Sequence, residues 1–354
     1  MNKKITFPHM GNYHVPVKYL LEHICDAEII VAPPITAKTI ELGAKYSPEF
    51  VCTPFKYTLG TLIEGLEAGA TVLMQAGGGC RYGYYSELQE QILKELGYEF
   101  EFYNFVSEGR TKPKEILKKM RQINPKFSLW KGLYYLGITT KMIRFMDLLD
   151  EYIRNRIGFE VQLGSFEQVQ TEFLEALAHT KGYFHLRHLY KKYRRKFASI
   201  RVKKPEKPLK IGIIGELYTV MEPFSNYQIE KTLARYGIEV KRFTNAHYLL
   251  FEKKKQVPKY LNYAKEYIQY RMGADAADNI GRAKYLCCHG YDGIIHIKSS
   301  FCTPEIGAMP ILQKISREYN VPILFFSFDA ATSEVGVETR LEAFYDMLTM
   351  RRES

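Results

Sequence analysis

Phe50-Val51-Cys52-Thr53-Pro54-Phe55-Lys56-Tyr57-Thr58-Leu59-Gly60 decides how the chain is read. Two other stretches share its layout, Gln75-Ala76-Gly77-Gly78-Gly79-Cys80-Arg81-Tyr82-Gly83 and Ser300-Phe301-Cys302-Thr303-Pro304-Glu305. Each follows a short apolar run with the character of a buried strand, and each precedes a helical pattern. Each cysteine is therefore expected at the carboxyl end of a strand, in a strand-to-helix turn. Open α/β sheets bind ligands at that edge. Three such cysteines facing one crevice make a metal site.

Outward from these turns the chain alternates strand and helix. In the first third, strands are expected at Lys4–Phe7, Glu28–Ala32, Glu49–Cys52, Thr71–Gln75 and Glu99–Tyr103. Helices fall between them, one capped by Thr36, one opened by Pro54 and one closed by Gly97. From Lys112 to Ile200 the alternation stops and 3.6-residue periodicity takes over, with long stretches at Thr139–Ile157 and Phe166–Phe197. After Pro205–Pro208 the alternation resumes, with strands at Leu209–Ile214, Glu239–Phe243, Gly293–Lys298 and Pro322–Phe328 and a final helix at Arg340–Met350. The expected fold is α/β, two Rossmann-like domains with parallel sheets facing a cleft and a helical insert between them. The expected boundaries are 1–110, 111–205 and 206–354.

A chain of 354 residues is long for a single core. Its 46% hydrophobic and 25% charged residues are those of an ordinary globular protein. No apolar run reaches the roughly 18 residues of a membrane span, and the first residues lack a secretory leader pattern. The expectation is a cytoplasmic protein with no membrane partner. Six cysteines in such a chain are buried thiols or metal ligands rather than a disulfide framework. The net charge of +11 is concentrated in Arg187, Lys191, Lys192, Arg194, Arg195, Lys196, Arg201, Lys203, Lys204 and Lys207. This run reads as a solvated helix end leading into a linker, or as a docking face for an acidic partner or an anionic cofactor. Nucleic acid is not among the expected partners.

Cys52-Thr-Pro-Phe-Lys56, Gly77-Gly-Gly-Cys80-Arg81, Phe301-Cys302-Thr-Pro-Glu305 and the block from Thr332 through Glu334, Gly336, Arg340 and Glu342 to Phe344 together resemble the 2-hydroxyacyl-CoA dehydratase superfamily. The likeness is to its D-component-like branch of activase-associated iron–sulfur proteins. It implies two Rossmann-like domains and a four-iron four-sulfur (4Fe-4S) cluster held by three cysteines, with one iron open to substrate. It also implies an ATP-dependent activator, with its own iron–sulfur cluster, that delivers low-potential electrons for radical dehydration or reduction. Carried over by motif, the ligands are Cys52, Cys80 and Cys302, and thiolate is the ligand such clusters take. An acyl-CoA or a small molecule is the implied substrate, and a homodimer or a related subunit the implied assembly. Two other readings stay open. One is a double-cubane (8Fe-9S) cluster on six cysteines in a reductase of small molecules, which would draw in Cys25, Cys287 and Cys288. The other is a non-catalytic two-domain metal- or ligand-binding protein.

Around these ligands, Gly78 and Gly79 would let the backbone approach a cluster and donate amides to its sulfurs. Lys56 and Arg81 would balance its negative charge. His9, at the end of the first strand, would donate a proton near it. Glu305 in the first turn after Cys302, and Glu216 after Leu209–Ile214, are the acid–base candidates. Glu338, Arg340 and Glu342, on the last helix, read as structural ion pairs at the domain or dimer interface. No phosphate-binding loop of the G-x-x-x-x-G-K-[ST] type occurs, so ATP use falls to a partner.

Overall fold

The structure, a computed structural model, describes residues 3–77, 80–106, 112–270 and 272–353, with Arg81 described by its backbone only. The chain divides into two compact units, Met1–Met142 and Ile143–Ser354.

The first unit holds a four-stranded parallel sheet of β1 (Lys4–Thr6), β2 (Glu28–Ile29), β3 (Val72–Gln75) and β4 (Glu101–Asn104), in the order β2-β1-β3-β4. Between them run α1 (His14–Ile24), α2 (Ala37–Tyr46), α3 (Thr53–Glu67) and α4 (Tyr85–Glu95); α5 (Pro113–Ile123) and the start of α6 (Leu129–Arg154) follow. One face of the sheet packs Ile5, Val72 and Met74 against Leu21 of α1 and Met120 and Ile123 of α5. The other packs Leu73 against Leu59, Leu62 and Ile63 of α3 and Leu93 of α4. Both faces are therefore covered, as a parallel sheet requires.

The second unit contains α7 (Ser165–Ala178), α8 (Tyr183–Ser199), β5 (Leu209–Gly215), α9 (Leu217–Met221), α10 (Ile229–Arg235), β6 (Ile238–Arg242), α11 (Lys253–Ala264), α12 (Ala276–Cys288), β7 (Gly293–Ser299), α13 (Thr303–Tyr319), β8 (Ile323–Phe328) and α14 (Glu334–Glu353). Its parallel sheet has the order β6-β5-β7-β8. The two sheets thus repeat one topology, with the first strand of each paired to the second on one side and the third on the other. Ile295 and Ile297 of β7 pack on one face with α10 and α14. Ile294 packs on the other face with α12 and α13.

Several expectations need correction. Glu49–Cys52 is a turn, not a strand: the Val51 amide bonds the Pro48 carbonyl and joins α2 directly to α3. Val51 is apolar because it packs beside the buried core of α3, not because it pairs in a sheet. The Phe166–Phe197 periodicity belongs to two helices, α7 and α8. They are separated near Gly182, whose φ of 134° lies outside the helical range. Arg340 donates to the Phe325 carbonyl at 2.7 Å and stacks over the Phe326 ring, and no described carboxylate pairs with it. The Thr36 cap is borne out as a reciprocal capping box with Thr39.

Candidate functional site

The Cys52 turn is built by helix packing. α2 and α3 lie so close that a Cβ on Gly43 would come 1.8 Å from the Lys56 carbonyl oxygen, and one on Gly60 2.0 Å from that of Thr39. Almost every residue of α3 is buried. Cys52 is the cap of this helix, in an extended conformation, and Pro54 stands in its first turn. α3 runs on to β3, so its amino end lies at the carboxyl edge of the sheet. Cys80 lies at the same edge, after β3. The structure brings these two segments together. The Cys52 thiol and the Tyr85 hydroxyl form a hydrogen bond, Tyr85 packs edge-on against Phe55 at 5.0 Å, and its ring lies 4.5 Å from Tyr82. Gln89 of α4 donates to Thr58 Oγ1 at 2.7 Å and to the Phe55 carbonyl at 3.3 Å. Gly77 sits under the same turn, where a Cβ would come 2.7 Å from the Tyr82 carbonyl oxygen. Gly78, Gly79 and the Arg81 side chain lie outside the described residues.

Lys56 is buried at 8% exposure and donates to the Glu49 carbonyl at 3.1 Å, behind the Cys52 turn. His9 lies beyond the carboxyl end of β1, its Nδ1 3.3 Å from the Ala32 carbonyl oxygen and its ring 4.8 Å from that of His14. Burial, reinforced by His14, lowers its pKa to about 4, so the imidazole is neutral near pH 7.

The second unit builds a similar cap. Cys302 is the cap of α13, which also opens Thr-Pro, and its amide bonds the Ser299 carbonyl at 3.0 Å at the end of β7. Glu305 in the first turn is fully buried. It accepts from His296 Nε2 at 2.7 Å and from Asn279 Nδ2 at 2.9 Å. Asn279 also donates to the Gly215 carbonyl at 3.0 Å, and Arg282 Nη1 donates to Asn279 Oδ1 at 3.3 Å and Thr244 Oγ1 at 3.1 Å. This buried network ties α12, α13, β5 and β7 into one rigid frame beneath Cys302. Glu216 follows β5 and accepts from the amides of Tyr218 and Thr219 and from the Thr219 hydroxyl. Burial pushes its pKa up to about 7.

The sequence reading missed His296, Lys298, Asn279 and Arg282. The available signal was a histidine and a lysine inside the otherwise apolar strand Gly293-Ile-Ile-His-Ile-Lys-Ser299. Such polar side chains in a fully buried strand need partners. Lys298, 4% exposed, makes a weak hydrogen bond, 3.5 Å to the Ser299 carbonyl. Burial lowers its pKa while Cys302 and Glu305 oppose that shift.

The remaining cysteines lie at the other edges of the sheets. Cys25 follows α1 and precedes β2, and burial pushes its thiol up to about 12. Cys287 and Cys288 end α12 before β7 begins, and burial likewise raises Cys287 to about 12. Cys302 is at the far end of β7, whose seven residues span roughly 20 Å. Among the described residues, neither unit by itself gathers three or more His, Cys, Asp or Glu side chains that could hold a metal ion. No described helix is long and apolar enough to cross a membrane.

Each unit is thus an α/β body with a cysteine-capped, Thr-Pro-initiated helix at the carboxyl edge of its sheet. Residues 186–348 match the family model of the 2-hydroxyglutaryl-CoA dehydratase D-component. Over these residues the chain is similar to that family, which lies within the 2-hydroxyacyl-CoA dehydratase superfamily. The match includes Cys302, Glu305 and the Glu334–Phe344 block; Cys52 and Cys80 lie before it. No curated protein matches the chain.

Proposed function

We propose that this protein is an iron–sulfur member of the dehydratase superfamily in which Cys52, Cys80 and Cys302 hold a four-iron four-sulfur cluster with one open iron. The observation that carries this reading is the repeated cap. Cys52 and Cys302 each precede Thr-Pro and each cap a long helix at the carboxyl edge of a parallel sheet. A helix amino terminus favours the thiolate form of a cysteine, which is the ligand form. The donor set fits the group: three thiols at the carboxyl edges of the parallel sheets, with the buried lysines Lys56 and Lys298 on the flanking segments as counter-charges. When bound, the cluster supplies a Lewis-acidic iron and one-electron chemistry to a substrate such as an acyl-CoA.

The chain's own residues would then act as follows. Tyr85 donates to the Cys52 sulfur, which lowers the electron density on that ligand. The His296–Glu305–Asn279–Arg282 network holds the first turn of α13, and Cys302 with it, in one geometry. His9, neutral near pH 7, spends its one ring N–H on the Ala32 carbonyl and is held in place there as an imidazole rather than an imidazolium. The basic face of α8 is the proposed dock for an acidic, ATP-dependent activator. Among the described residues, Arg187, Lys191, Arg194 and Arg195 project from that face and form no ion pairs, whereas Lys196 and Lys204 pair with Glu172 and Glu239.

A single cluster is preferred to a double cubane because Cys25, Cys287 and Cys288 lie at the amino ends of strands. The test is EPR spectroscopy of anaerobically purified, reduced protein. A four-iron cluster signal that disappears in Cys302→Ala is expected, and a signal-free wild type would rule the reading out.

A further inference from the structure

β7 carries a lysine, inside the fold, to the turn that bears Cys302. Ile294, His296 and Lys298 alternate on the face of β7 that packs against α12 and α13, as the Ile294 contacts define. The 2.7 Å bond from His296 to Glu305 fixes the register of α13 against that face. Lys298 stands two residues further toward the carboxyl end, so it is carried past Glu305 toward the start of α13, where Cys302 is the cap.

Its surroundings leave its ammonium weakly hydrogen-bonded. Lys298 is 4% exposed and, among the described residues, forms no ion pair. The negative groups that act on its ammonium are Cys302 and Glu305. Glu305 is already engaged by His296 and Asn279. A buried ammonium whose hydrogen bond, among the described residues, is a 3.5 Å contact to the adjacent carbonyl is unfavourable unless negative charge is placed close to it. Cys302 is the group through which that charge would arrive.

We infer that Lys298 is the counter-charge of the metal centre held in part by Cys302, and that it stabilises the reduced form of that centre. The inference rests on the cluster reading above. Adding one electron to a thiolate-bound cluster adds one negative charge, and a fixed cation close by in a water-poor site favours that state. The electron comes from the external reductant. Lys298 gives up no proton and breaks no bond, so its role is electrostatic positioning rather than catalysis.

The test compares full-length wild type, Lys298→Met and Lys298→Arg, each loaded with iron and sulfide without oxygen. Iron per chain and the EPR-monitored midpoint potential are measured with a chemical reductant and mediators. Expected are wild-type iron in all three, a midpoint shifted to a more negative potential in Lys298→Met, and a midpoint restored toward wild type in Lys298→Arg. Loss of iron in Lys298→Met that Lys298→Arg restores also supports the role. An unchanged midpoint at full iron content in Lys298→Met would overturn it, as would a defect that the arginine does not rescue. Wild-type protein that takes up no iron overturns the cluster reading itself, and this inference with it.

Discussion

The Cys52 thiol is hydrogen-bonded to the hydroxyl of Tyr85, a residue of the helix that follows Cys80. One contact thereby joins the two cysteine turns of the first unit, although 33 positions separate the partners. Tyr85→Phe removes the donor and keeps the ring that packs on Phe55 and Tyr82. The expected result is a small stability loss of about 1 kcal/mol and a more negative cluster midpoint potential. Potentiometry on loaded protein checks this; an unmoved midpoint would remove Tyr85 from the ligand environment.

Glu305 is a fully buried anchor between His296 and Asn279. Glu305→Ala leaves two buried polar groups unsatisfied and should cost about 3 kcal/mol. Glu305→Gln keeps the shape and should cost less. Urea unfolding measures both. If Glu305→Gln unfolds like wild type yet abolishes turnover, Glu305 is a chemical participant and not only an anchor.

The packing of α2 on α3 sets where Cys52 stands. Gly43→Ala places a methyl 1.8 Å from a backbone oxygen, so the helices must separate, at about 3 kcal/mol and with weaker iron retention. Gly137, in α6, has open space where an added methyl would sit, with no neighbouring atom within 4 Å, and Gly137→Ala should stabilise by up to about 1 kcal/mol. Thermal melts of the pair test the contrast.

Glu216 gives a pH dependence of definite sign. Burial raises its pKa from 4.5 to about 7, so the folded state keeps this proton longer than the unfolded state does. Its contribution to stability is therefore most favourable below pH 4.5. It falls as pH rises toward 7, by about 3 kcal/mol in all. Unfolding of wild type and Glu216→Gln at about pH 5 and about pH 8, on either side of the folded-state value, should show a smaller loss in the variant. Equal losses would mean that Glu216 is not the group responsible.

The basic face of α8 predicts salt-sensitive association with an acidic activator, strongest at low ionic strength. Changing Arg187, Lys191 and Arg195 to Ala should weaken binding at low salt and flatten its salt dependence. Affinity that ignores both salt and these changes would assign the face to solvent.

Much of this was legible in the sequence. Apolar runs bounded by Gly and Pro marked the strands of the two parallel sheets, and the Cys-Thr-Pro turns stood out because proline suits the first turn of a helix. Glu49–Cys52 misled because a short apolar segment between two prolines has the same local signal as a strand; only the close approach at Gly43 and Gly60 distinguishes a helix–helix turn. Phe166–Phe197 misled because hydrophobic period continues across a short break. His296 was hidden because its partner Glu305 comes from the first turn of α13, which no local pattern reveals, and Lys298 because it lies on the same face of β7.

The most direct measurement is iron and acid-labile sulfide per chain in protein purified without oxygen, for wild type and for each of the six cysteines changed singly to alanine. About four irons are predicted, lost in Cys52→Ala, Cys80→Ala and Cys302→Ala and retained in Cys25→Ala, Cys287→Ala and Cys288→Ala. About eight irons that depend on all six cysteines would establish the double cubane instead, and no iron in the wild type would contradict a cluster altogether.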